Sequence, residues 1–146
     1  MSRNRRILVV DDEANARTAL AELLRDEGFE VETGAHGFDA LTKVATFHPH
    51  VAIADLQMPG MDGVDLVSRL LQIPDAPSVI VMTAFGETGP AVAALRAGAS
   101  DYLTKPINVD ELLVVLGKVI RQHELEHELE RLRQEQRTNG EQTAIR

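Results

Sequence analysis

The chain has 146 residues, no cysteine and a formal charge of −8. Without cysteine there is neither a disulfide framework nor a thiolate zinc site. The acidic balance argues against direct nucleic-acid binding by this segment, because such binding sets clustered Lys and Arg against phosphates. No stretch approaches the roughly 20 apolar residues of a membrane span. The run Ile7 to Val10 behind Arg3, Arg5 and Arg6 meets Asp11 and Asp12 too soon to be an export signal. These features predict a cytoplasmic protein with no membrane contact, and a length that suits one domain plus an appendage.

Five short runs rich in β-branched residues recur: Ile7 to Val10, Glu30 to Thr33, Val51 to Ala54, Val79 to Thr83 and Asp101 to Thr104. A helical pattern follows each. Glu13 to Glu27 carries Ala16, Ala19, Leu20, Leu23 and Leu24 at helical spacing and ends at Gly28, a C-cap residue. The other helices are expected at Gly37 to Phe47, Gly63 to Gln72, Pro90 to Ala97 and from Val109 onward. Pro90 suits a first turn, Gly98 a helix end, and Asn108 with Glu111 forms a capping box. Strict alternation of strand and helix implies a doubly wound parallel sheet with helices on both faces. The first and third runs are the most apolar and both end in Asp, so they belong side by side at the centre, flanking a topological switch point.

The stretch Asp55-Leu56-Gln57-Met58-Pro59-Gly60-Met61-Asp62-Gly63 lies just past the third run, where the ligand crevice of such a sheet opens. Taken singly, Asp55 could cap the next turn, Asp11 or Asp12 could cap the first helix, Thr83 could be a strand-end hydroxyl and Lys105 a solvated charge. The fold brings all of them to one edge. Carboxylates about 4 Å apart repel by roughly 4 kcal/mol per pair at an effective dielectric of about 20, so a cation belongs among them. An oxygen-only donor set without His or Cys selects a hard ion such as Mg²⁺. With Lys105 as a second positive charge and Thr83 as a hydroxyl donor, the set suits phosphoryl transfer to a carboxylate.

Asp11-Asp12, Asp55 with Met58 to Gly63, Thr83-Ala84 and Lys105-Pro106 together make the chain from about Arg5 to Ile120 resemble the receiver domain of bacterial two-component response regulators. The resemblance implies a flavodoxin-like sheet of order 2-1-3-4-5, with Asp55 as phosphoacceptor for a histidine kinase. It implies that Asp11, Asp12, Asp55 and the backbone carbonyl of Gln57 hold Mg²⁺, and that Lys105 and Thr83 bind the phosphoryl group. Thr83 and Tyr102 would form the switch, and Lys105-Pro106 would be a cis peptide. Gln57 and Phe85 occupy positions that tune acyl-phosphate lifetime in that family; Phe85 is expected to pack, partly buried, over the site.

Beyond Ile120 the composition shifts to Gln, Glu, Arg and His while helical propensity persists. Leu112, Leu113, Leu116, Val119 and Ile120 form the face expected on the sheet. Leu125, Leu129 and Leu132 follow a 4-then-3 spacing that suits a short coiled-coil seam and a homodimer; a solvated extension is the alternative. His123 and His127 stand one turn apart without an acid or Cys to complete a metal site, and His36, His48 and His50 show no partner. The expected organisation is a receiver over 1–120, a helical linker over 121–138 and a disordered tail over 139–146.

The run from Thr83 to Glu87, the Ala-rich stretch Ala91 to Ala99 and the leucine-seamed helix resemble the receivers of the nitrogen-regulation class of transcriptional activators. There, such a linker leads to an ATPase module and a DNA-binding domain, neither of which lies in this chain. The expected function is a phosphorylation switch rather than a turnover enzyme. A stand-alone receiver in a phosphorelay is one alternative. A Mg²⁺-dependent aspartyl-phosphate phosphohydrolase is another, though such enzymes place their nucleophile after the first strand. A dimerisation module with a vestigial acid site is the third.

Overall fold

The computed structural model describes residues 5–145, with side chains to Arg137; the tail expected over 139–146 lies outside the fully described residues. Five parallel strands, β1 (Arg6–Val10), β2 (Glu30–Gly34), β3 (Val51–Asp55), β4 (Ser78–Ala84) and β5 (Asp101–Lys105), form one sheet of order β2-β1-β3-β4-β5. Between and after them run α1 (Ala14–Asp26), α2 (Gly37–Phe47), α3 (Gly63–Leu71), α4 (Thr88–Arg96) and α5 (Val109–Ile145). The expected fold class and strand order are those observed. β1 and β3 are neighbours in register, Val10 beside Ala54, so Asp11 and Asp55 emerge from adjacent strand ends.

Alternation along the strands divides the core in two. Leu8, Val10, Ala52, Ala54, Val79 and Val81 face α2, α3 and α4 through Ala40, Val44, Leu66, Leu70 and Ala94. Ile7, Val9, Val51, Ile53, Ile80, Met82 and Leu103 face α1 and α5 through Ala21, Leu24, Leu112, Leu116, Val119 and Ile120. Burial on both faces is why the central strands read as unbroken apolar runs. Leu113, expected on the packing face of α5, is only half buried, because it lies to the side of the Leu112 and Leu116 stripe.

The helix ends explain the local sequence. Asp62 accepts from the Val64 amide (3.0 Å) to start α3, and Asn108 accepts from the Glu111 amide (3.0 Å) to start α5. Gly63 is required by space: a Cβ there would lie 2.6 Å from both the Cα and the carbonyl oxygen of Leu56. That close approach draws the start of α3 under the loop that follows Asp55. His36, which showed no partner in the sequence, caps α2 by accepting from the Asp39 amide (3.2 Å), while the Asp39 carboxylate accepts from Ala35 (3.0 Å).

Candidate functional site

Three strand ends build the site. Asp11 follows β1, Asp55 closes β3 and Lys105 closes β5, and one carboxylate oxygen each of Asp11, Asp12 and Asp55 lies within 4.8 Å of the others. Asp11 and Asp55 are 2% and 6% exposed, whereas Asp12 faces solvent. Lys105 Nζ donates to Asp55 Oδ2 at 2.7 Å and to Asp11 Oδ2 at 3.1 Å, so one ammonium bridges both buried acids. Burial alone would lower the lysine pKa, but the hydrogen bonds to Asp55 and Asp11 and their charges outweigh it and raise the pKa.

Each acid uses its second oxygen locally. Asp55 Oδ1 accepts from the Gln57 amide at 2.9 Å, and Asp11 Oδ1 accepts from the Glu13 amide at 3.0 Å. Asp55 therefore both starts the next turn and holds the lysine. The cap of α1 is neither Asp11 nor Asp12 but Glu13, whose side chain accepts from Asn15 at 3.1 Å. Arg17, which the sequence did not single out, donates to the Asp11 carbonyl at 2.8 Å and fixes the turn that carries the acids. Only its one-turn offset from Glu13 could have drawn attention to it.

Thr83, 3% exposed near the end of β4, donates to the Glu87 carbonyl at 3.2 Å, and so ties β4 to the start of α4. Tyr102 on β5 points outward, half exposed, opposite Val81. The Lys105-Pro106 peptide is cis. Phe85 is 86% exposed, which corrects the expectation that it packs over the site. It sits where β4 turns, at the left-handed Gly86, and no element among the described residues covers that corner. Gln57 is exposed directly after the Leu56 amide, which donates to the Met82 carbonyl at 2.9 Å. Leu125, Leu129 and Leu132 lie far from these groups, exposed along α5 past its last sheet contacts.

A doubly wound sheet of order 2-1-3-4-5 with an acid triad and a lysine across its central strand ends defines a receiver-type site. Residues 7–117 match the response regulator receiver domain family, and the chain belongs to it. Among its relatives, the regulatory protein AtoC of Escherichia coli K12 is 38% identical over 129 residues, covering 88% of this chain and 28% of AtoC. The DNA-binding response regulator MtrA of Mycobacterium tuberculosis H37Rv is 37% identical over 119 residues, 82% of this chain and 52% of MtrA. Among solved structures, NtrX from Brucella abortus, crystallised with ATP, superposes with a TM-score of 0.83 at 30% identity, over 90% of this chain and 30% of NtrX. A receiver domain from Clostridium thermocellum gives 0.78 at 29% identity, over 83% of this chain and 98% of that one. The chain thus spans about a quarter to a half of these curated relatives. Its likeness to the nitrogen-regulation class of receivers holds. No helix among the described residues is long and apolar enough to cross a membrane.

Proposed function

We propose that the chain is the phosphoacceptor module of a cytoplasmic response regulator, in which a histidine kinase transfers a phosphoryl group to Asp55. One observation supports this above all: a carboxylate 6% exposed, at the carboxyl end of the central strand, bridged to a second buried acid by a single lysine. In the transfer, a bond forms from an Asp55 oxygen to phosphorus as the phosphorus–nitrogen bond of the donor histidine breaks, and the imidazole leaves with its electron pair. Lys105 passes from the carboxylates to the phosphoryl oxygens, and the Thr83 hydroxyl exchanges the Glu87 carbonyl for the same group. The chain is then a switch that acts on itself, not a turnover enzyme.

The donor set suits Mg²⁺: three carboxylates with ligand oxygens within 4.8 Å, and neither His nor Cys among them. Asp11, Asp12 and Asp55, with the backbone carbonyl of Gln57, would hold it. Bound there, the ion would supply charge neutralisation for the transferred group. A small acyl phosphate or phosphoramidate with Mg²⁺ should add one phosphate, read by intact mass, and Asp55→Asn should add none. An unchanged adduct in Asp55→Asn overturns the reading. Thr83→Ala should accept phosphate yet lose most of the NMR shift change in α4, since Thr83 and Tyr102 are the proposed route outward.

The output is proposed to pass through α5 to transcription. The receiver would end near residue 120, with 121–138 as linker to an ATPase and DNA-binding portion of the nitrogen-regulation kind. Leu125, Leu129 and Leu132 are 63%, 48% and 44% exposed on that segment, which supports a parallel homodimer seam. A helix over 121–137 is only about 25 Å long and marginal alone, so the receiver's α4 to β5 face must contribute and the equilibrium should be concentration-dependent. Ultracentrifugation at tens of micromolar should find less dimer for Leu129→Asp than for wild type. Identical monomers in both, with and without phosphate, would remove the seam.

A further inference from the structure

The opposite end of the sheet gathers titratable groups that the acid site does not use. His50, just before β3, donates its amide to the Arg6 carbonyl (2.8 Å) and accepts the Ser78 amide on its own carbonyl (3.0 Å). Its ring Nδ1 accepts from the Arg6 amide at 3.0 Å. A backbone N–H can only donate, so Nδ1 carries no proton and the neutral ring keeps its hydrogen on Nε2. On α5, His123 is 8% exposed, and its Nδ1 lies 3.0 Å from the Ser78 hydroxyl. The His123 ring meets His50 edge-on at 6.0 Å between centroids and His127 at 4.9 Å. With the ion pair between Arg5 and Glu124, these contacts hold α5 to the domain beyond Ile120.

The junction favours neutral rings. A proton on His50 Nδ1 would set one N–H against another and break the bond to Arg6. Charge would also accumulate among Arg5 and Arg6 from β1, His50, and His123 and His127 from α5. Of the acids that face the cluster, Glu124 is engaged by Arg5, and both Glu126 and Glu124 act on His123. Asp75 and Glu130 line the cleft beside His123 and His127, and Arg131 in the same cleft is paired with Glu128 and Glu135. Burial first, then Arg6 and Arg5, hold the His50 pKa down at about 4. Burial and then His127 lower that of His123, against Glu126 and Glu124.

We propose that His123, seated on the Ser78 hydroxyl between the His50 and His127 rings, is a proton-sensitive latch, which holds α5 to the receiver while its ring is neutral and releases it beyond Ile120 when it is protonated. The latched form binds the proton more weakly than the released one. The burial-lowered His123 therefore favours latching above the ordinary histidine value of about 6.5, and latching weakens as pH falls below it. Of the seam leucines, Leu125 lies within the latched segment and Leu129 and Leu132 just past it, so the state of the latch sets the direction in which the seam leaves the domain. The latch stands apart from the acid site, and its test needs neither phosphate nor Mg²⁺.

Hydrogen exchange of the full chain, corrected for the intrinsic effect of pH, reads the latch directly. Between about pH 7.5 and about pH 5.5, protection over 121–127 should fall by no more than about tenfold, the limit for one imidazole of ordinary pKa about 6.5 when released and lowered when latched, while β1, β3 and β4 stay protected. His123→Gln, whose amide can still meet Ser78 without titrating, should flatten the response. His127→Gln, at an exposed position that does not endanger folding, should make it shallower. Protection that is constant in wild type, that falls equally across β1, β3 and β4, or that falls as steeply in both variants overturns the latch.

Discussion

The two edges of the one sheet handle ionisable groups in opposite ways. At the carboxyl edge, Asp11 and Asp55 are buried beside each other and share Lys105. At the amino edge, His50 and His123 are packed as neutral rings against strand-end amides and a hydroxyl. A buried charge is tolerable only with a counter-charge, whereas a buried imidazole has the option of giving up its proton. The carboxyl edge is thus vulnerable to the loss of a partner and the amino edge to the gain of a proton. The first suits an exchange of cations and phosphate, the second a response to pH.

Removing the shared cation should have the largest effect. Lys105→Met leaves two buried acids without their shared ammonium and should cost about 3 kcal/mol in urea unfolding at neutral pH, with most of the loss recovered by millimolar Mg²⁺. A loss under about 1 kcal/mol would mean that water alone satisfies the acids. Next in size is the metal itself. Mg²⁺ at a hundred times its Kd should add about 2.7 kcal/mol to wild type and almost nothing to Asp12→Ala. Equal melting shifts in the two would remove the metal assignment. Smallest is the cut at the amino edge: Ser78→Ala leaves the His123 ring without its buried partner and should cost about 1 kcal/mol at neutral pH, unaffected by Mg²⁺. A Mg²⁺-dependent loss in that variant would show the edges to be coupled, against the contrast drawn here.

Much of the carboxyl edge was legible in the chain. Apolar runs ending at Asp11 and Asp55, turn residues at Pro59-Gly60 and the strand-helix alternation mark that edge, because parallel topology carries every strand end to the same side. The amino edge was not legible. His50 and His123 lie 73 positions apart, and in the chain His123 is one polar residue among many on an apparently solvated helix. The misplacement of Phe85 has the same origin: nothing local says whether a neighbouring element reaches the corner where β4 turns.

By itself, the sequence determined the fold class, the central pairing of the first and third strands and the members of the acid cluster, since periodicity and strand-end position are local properties that the sheet repeats; the full strand order came from the resemblance to receiver domains. Only the tertiary structure decided how Lys105 divides itself between two carboxylates, that Glu13 rather than an aspartate caps α1, and that α5 stays bound to the sheet as far as His123. Those outcomes depend on which groups compete for the same donor or the same space across distant parts of the chain. Desolvation and pairing, which settle that competition, act on the packed arrangement and leave no periodic trace in the order of residues.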